Sequence, residues 1–70
     1  MNVRDFLELC SDWNGNLTVN DNRLRRIAQG RTVSVVDKRP DIMQREFVSF
    51  CYINDELCIR TRKAKHERNY

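Results

Sequence analysis

Between Val48 and Arg60 the chain reads VSFCYINDELCIR, two runs rich in β-branched and aromatic residues on either side of Asn54-Asp55. Asn and Asp tolerate the positive φ angles that a two-residue hairpin turn requires, so the stretch predicts a β-hairpin over 48–53 and 56–61. If Ile53 faces Glu56 across the turn, Tyr52 faces Leu57, Cys51 faces Cys58, Phe50 faces Ile59 and Val48 faces Thr61. Residues directly opposite each other share a face of the sheet. Val48, Phe50, Tyr52, Leu57 and Ile59 therefore make one apolar wall, which needs a cover.

The cover is legible at the start of the chain. Val3, Phe6, Leu7 and Cys10 fall at helical spacing, with Arg4, Asp5 and Glu8 elsewhere on the wheel, which predicts an amphipathic helix over 3–12. Asn2 is a good N-cap, and Asp5 three residues on can reach back to it. Asn14-Gly15 ends that element, and Trp13 just before it either closes one end of the core or stands half-exposed as an interface anchor. Leu17 and Val19 alternate with Thr18 and Asn20 as a short strand. Residues 23–29 carry both helical spacing and strand character; a strand pairing back on 17–20 is preferred because consecutive strands usually pair. Val33, Val35 and Val36 form a further apolar patch. Pro40 then opens a single turn over 40–44 that tucks Ile42 and Met43 under the sheet. The expected fold is α+β, one N-terminal helix packed on an antiparallel sheet of about four strands. Residues 1–61 form the domain, with a C-terminal hairpin, and 62–70 a basic tail.

Seventy residues make one domain, with burial barely sufficient for independent stability, so a bound partner or a second copy would help. Met1-Asn2-Val3-Arg4-Asp5 carries charges where the apolar part of a secretory leader would sit, and no apolar run reaches membrane-spanning length. A cytoplasmic protein without membrane contact is expected. Three cysteines then argue for reduced thiols rather than a disulfide framework. The net charge of +3 is uneven. From Arg60 onward five basic residues oppose Glu67 alone, whereas the first 59 residues hold eight basic and nine acidic groups.

The VRDFLELC helix, the GNLTVND strand and turn, the central Gly30 and the closing VSFCYINDELCI hairpin together resemble small α+β proteins encoded by bacteriophages and mobile elements. The resemblance spans residues 3–60. It implies an accessory protein that binds host or phage machinery, an inhibitor of a bacterial defence complex being one form, and it assigns no functional residues.

No phosphate-binding loop, metalloprotease helix, nucleophile elbow or paired CxxC occurs, so an enzyme is not expected and no cofactor is implied. Cys10, Cys51, Cys58 and His66 hold the right donor atoms for zinc but at spacings unlike zinc motifs, and no metal site is assigned. The hairpin's second face, with Phe47, Ser49, Cys51, Ile53, Glu56, Cys58, Arg60 and Arg62, has an apolar middle and charged ends, the pattern of a protein-contact patch unless 31–44 folds over it. Phe47, Cys51, Ile53 and Trp13 are its candidate residues. The expected function is protein binding, with a homodimer as its simplest form. The alternative is a nucleic-acid-binding protein without sequence preference, in which Arg23, Arg25, Arg26, Arg60, Arg62, Lys63, Lys65 and Arg68 neutralise phosphates or meet an acidic protein.

Overall fold

In the computed structural model, which describes residues 1–10 and 13–64, the first helix is α1, Val3–Leu9. Its start is set as the sequence requires. The Asp5 N–H donates to Asn2 Oδ1 at 2.8 Å and the Asn2 N–H to Asp5 Oδ2 at 3.4 Å, satisfying two donors that a helix terminus otherwise leaves open. Val3 and Leu7 are buried, and Phe6 and Cys10 pack partly against the same core. The helix is shorter than expected, because Cys10 is already extended.

Four strands follow: β1 Asn16–Asn20, β2 Arg26–Arg31, β3 Glu46–Ile53 and β4 Glu56–Arg62. The strand reading of 23–29 holds for its second half. Its beginning is loop, because Asp21 holds the chain from Arg23 to Arg25 in a turn with Leu24 at φ 63°. The sheet is open and ordered β2-β1-β4-β3. Both hairpins pair antiparallel, but β1 and β4 are joined in parallel, with Leu17 opposite Leu57 and Val19 opposite Ile59. The sheet is thus mixed, not antiparallel throughout. Parallel neighbours need a long crossover, and two further helices supply it: α2, Thr32–Lys38, and α3, Pro40–Met43.

Only α3 was anticipated, as the turn that buries Ile42 and Met43. In α2 the three valines lower intrinsic helix propensity, yet tertiary anchoring prevails. Both the N–H and the hydroxyl of Thr32 donate to the Gly15 carbonyl, at 3.0 and 3.2 Å, and Val35 sinks into the core. Gly30, opposite Leu17, stands at φ 152°, a conformation that side chains rarely adopt, and Val35 packs beside it, its Cγ2 in ordinary contact range at 3.7 Å from where a Cβ would lie. All three helices contribute to one core with Leu17, Val19, Leu57 and Ile59.

The hairpin register is as expected from Phe50 to Ile53, with Asn54 and Asp55 at φ 52° and 64°, the turn type whose twist matches the strands. Two details differ. A bulge at Val48 sets Phe47 opposite Thr61, so Val48 leaves the apolar wall and Phe47 joins it. Phe50 and Tyr52, expected in the core, are each 51% exposed although the register is correct. Exposure of Phe50 therefore reflects its place on an edge strand, not a slip of one residue. The proposed boundary between Thr61 and Arg62 falls inside β4, and Ala64 beyond it is buried. Residues 65–70 lie outside the described part. No helix among the described residues is long and apolar enough to cross a membrane.

Candidate contact surfaces

The longest strand is also the least covered. Every residue of β3 from Val48 to Ile53 is exposed, and none of the six is charged. On the helix side an aromatic chain runs along it. Phe6 of α1 stacks on Phe47 with ring centroids 4.3 Å apart and meets Phe50 at 4.9 Å, and Tyr52 stands edge-on to Phe50 at 6.4 Å. The Cys10 Sγ and Tyr52 hydroxyl lie 3.5 Å apart. The N-terminus runs beside the strand's beginning: the Phe47 N–H donates to the Met1 carbonyl at 2.9 Å, and the Val3 N–H to Arg45 at 3.0 Å. Edge strands usually carry charge or proline that discourages pairing with another chain, and Val48–Ile53 has neither.

The opposite face of the sheet presents Thr18, Cys51, Ile53, Glu56, Cys58 and Arg60, since side chains alternate along each strand. Residues 31–44 pack on the helix side, so no described element covers this face. The Thr18 hydroxyl donates to the Glu56 carboxylate, which satisfies an otherwise buried polar group. Cys51 is exposed and Cys58, opposite it, is half-buried. Burial pushes the Cys58 thiol above its ordinary pKa, with the neighbouring Cys51 and Glu56 adding to the shift.

The four residues expected to form a protein-contact patch are accordingly divided. Cys51 and Ile53 lie on the open face, Phe47 is on the helix side because of the bulge, and Trp13 is half-buried against the core. The surface that the structure presents instead is β3 itself, with Phe50 and Tyr52 added. Sequence alternation could not reveal these two as exposed, because it assigns a face and not a depth. The sheet likewise separates Cys10 from Cys51 and Cys58; His66 lies outside the described residues.

Charge is gathered by the topology. The end of the sheet where β1 and β4 finish and β2 and β3 begin is built from residues 20–26, 45–46 and 60–63. Those segments hold Arg23, Arg25, Arg26, Arg45, Arg60, Arg62 and Lys63 against Asp21 and Glu46. Two groups that are far apart in sequence thus come to one end of the sheet, and Arg45, which sequence reasoning did not single out, joins them. A depression lined by Arg23, Arg25, Arg45 and Lys63 lies within it. Lys65 and Arg68 fall outside the described residues.

Asp21 organises this end. Its Oδ1 accepts from the N–H groups of Arg23 and Arg25 at 2.8 and 2.9 Å, and its Oδ2 accepts from Arg25 Nε at 3.0 Å. Hydrogen bonds to the charged form, from the Arg25 backbone above all, hold the carboxyl below its ordinary pKa. This hold is complete above the ordinary carboxylate pKa near 4 and is lost as pH falls through the lowered value. Arg62 is paired with Glu46 and Arg25 with Asp21. Arg23, Arg26, Arg45, Arg60 and Lys63 have no carboxylate partner among the described residues. Arg45 is nevertheless fixed, its Nε donating to Thr61 Oγ1 at 2.9 Å.

Comparison of the chain with protein-family models, with curated proteins and with solved structures gives no match.

Proposed function

We propose that the protein is a non-enzymatic binding module that docks another protein along β3. The observation that carries this reading is the uncharged exposed run from Val48 to Ile53, with Phe50, Tyr52 and Ile53 each more than half exposed. Interface cores are depleted in charge and enriched in aromatic residues, and a domain of this size gains from covering such surface. The phage-like resemblance of residues 3–60 supports an accessory role, inhibition of a bacterial defence complex being one form.

Self-association is the version of this reading open to direct measurement. Sedimentation of the full chain at micromolar concentration should show a dimer, and Phe50→Asp or Ile53→Asp should return it to monomer while far-ultraviolet circular dichroism keeps its native shape. A chain that stays monomeric at every concentration removes the homodimer. If, in addition, these replacements leave the apolar-dye binding and solubility of the folded protein unchanged, β3 is not an adhesive surface and the proposal fails.

A further inference from the structure

The basic end of the sheet has properties that the β3 surface does not explain. Seven cationic side chains face two carboxylates there, and five of the seven lack an ion-pair partner among the described residues. The opposite end, where the Asn54-Asp55 turn, Glu56 and Arg31 lie, holds Arg31 against Asp55 and Glu56 among the described residues of its strand ends. The basic groups do not converge on a point. Arg26 begins β2 at one edge, Arg60 and Arg62 end β4 with Lys63 just beyond it, and Arg45 precedes β3 at the other edge. Three inter-strand steps at about 4.8 Å spread these strand ends over roughly 15 Å, with Arg60 and Arg62 toward the open face and Arg45 and Lys63 toward the helix side. The cations are also pre-set, by the Asp21 turn under Arg23 and Arg25, the Arg45–Thr61 hydrogen bond, and donation from Arg60 Nη2 to the Asn22 carbonyl at 3.4 Å.

We propose that this end of the sheet is a binding site for the phosphate backbone of a polynucleotide, read without regard to base sequence. Six of the seven cations are arginines, whose forked donors suit phosphate oxygens. Cations spread over about 15 Å are too far apart for one small anion and suit one that carries charge at regular intervals, a polymer. The one described helix that starts at this end, α1, is tied to Arg45 by its Val3 N–H and buries Val3 and Leu7, so backbone contact is what the geometry provides. Asp21 acts here as a positioning residue. It touches no phosphate and holds the loop that presents Arg23 and Arg25.

The test uses the full chain with a short mixed-sequence duplex, a single strand of the same length and polyglutamate as probes. Engagement of the five unpaired cations gives a slope of log affinity against log salt of about −4.5 on the duplex. The same slope means a loss of about 10²–10³-fold between about 50 and 200 mM salt. Arg60→Glu and Arg31→Glu change the net charge equally but sit at opposite ends of the sheet. Arg60→Glu should weaken binding and reduce the slope by about 1 or more, Arg45→Gln should reduce it by about 1, and Arg31→Glu should leave it unchanged. Circular dichroism confirms that each variant is folded. Equal losses for Arg31→Glu and Arg60→Glu would reduce the effect to net charge and overturn the site. Polyglutamate bound as tightly as the duplex at matched salt overturns it in favour of an acidic protein. Neither result bears on β3, whose test is the oligomeric state.

Discussion

Strands β3 and β4 are two arms of one hairpin with matched apolar residues, yet they end in different environments. Leu57, Ile59 and Thr61 of β4 are at most 2% exposed, whereas Phe50 and Tyr52, directly opposite Ile59 and Leu57, are half in solvent. The alternation pattern is equally good in both arms. What differs is neighbourhood: β4 lies between β1 and β3 and beneath the helices, while β3 has one strand neighbour and is met from α1 by Phe6, with Cys10 at the helix end beside Tyr52. Pattern specifies which way a side chain points, and topology specifies how much matter lies above it.

Truncation should separate the arms most strongly. Ile59→Ala empties the centre of the core and should cost about 2–5 kcal/mol, enough to unfold much of a domain this small, as read by urea denaturation. Phe50→Ala, although it removes a larger side chain, should cost only about 1–2 kcal/mol, because roughly half of its surface is never buried. A Phe50 cost equal to that of Ile59 would mean that β3 is covered in solution, by a second copy or by chain outside the described residues.

The turn allows the comparison to be sharpened without touching either arm. Asp55 stands at φ 64°, a conformation that glycine adopts without strain. Asp55→Gly should therefore be neutral or stabilising by up to about 1 kcal/mol, the relief at positive φ offset in part by the greater freedom of the unfolded chain. Denaturation at matched protein concentration checks it, and a clear loss would indicate that the Asp55 carboxylate has a role beyond the turn.

The smallest expected difference is chemical. Cys51 and Cys58 are cross-strand partners, but Cys51 is exposed and Cys58 is half-buried with its thiol held toward the protonated form. Alkylation near neutral pH, followed by mass spectrometry of peptides, should modify Cys51 first, since the thiolate is the nucleophile and access limits it. Equal rates would mean that the hairpin opens faster than the reagent reacts.

Much of this molecule was written in local sequence. The Asn2 and Asp5 cap, the Val3 and Leu7 stripe, the Asn54-Asp55 turn and the Cys51–Cys58 register each depend on residues a few positions apart or joined by a two-residue loop, so short-range stereochemistry suffices to place them. The candidate surfaces were legible only in part. Arg23, Arg25, Arg26, Arg60, Arg62 and Lys63 were visible as cations, but nothing local indicated that they share one end of the sheet or that Arg45 belongs with them. Nor did the triple-valine segment announce α2, because its helicity derives from Thr32 anchoring on Gly15 and Val35 packing under Gly30.

Sequence by itself thus determined the elements whose energetics are local: one capped helix, two hairpins, the turn at Pro40 and the inward face of nearly every strand. The tertiary structure alone decided the parallel pairing of β1 with β4. That pairing depends on the helical crossover through α2 and α3, and no short window of residues records where such a connection delivers the next strand. From that single pairing follow the burial of Leu57 and Ile59, the exposure of Phe50 and Tyr52 on an edge, and the gathering of seven cations at one end, because strand order fixes which side chains share space whatever their distance along the chain.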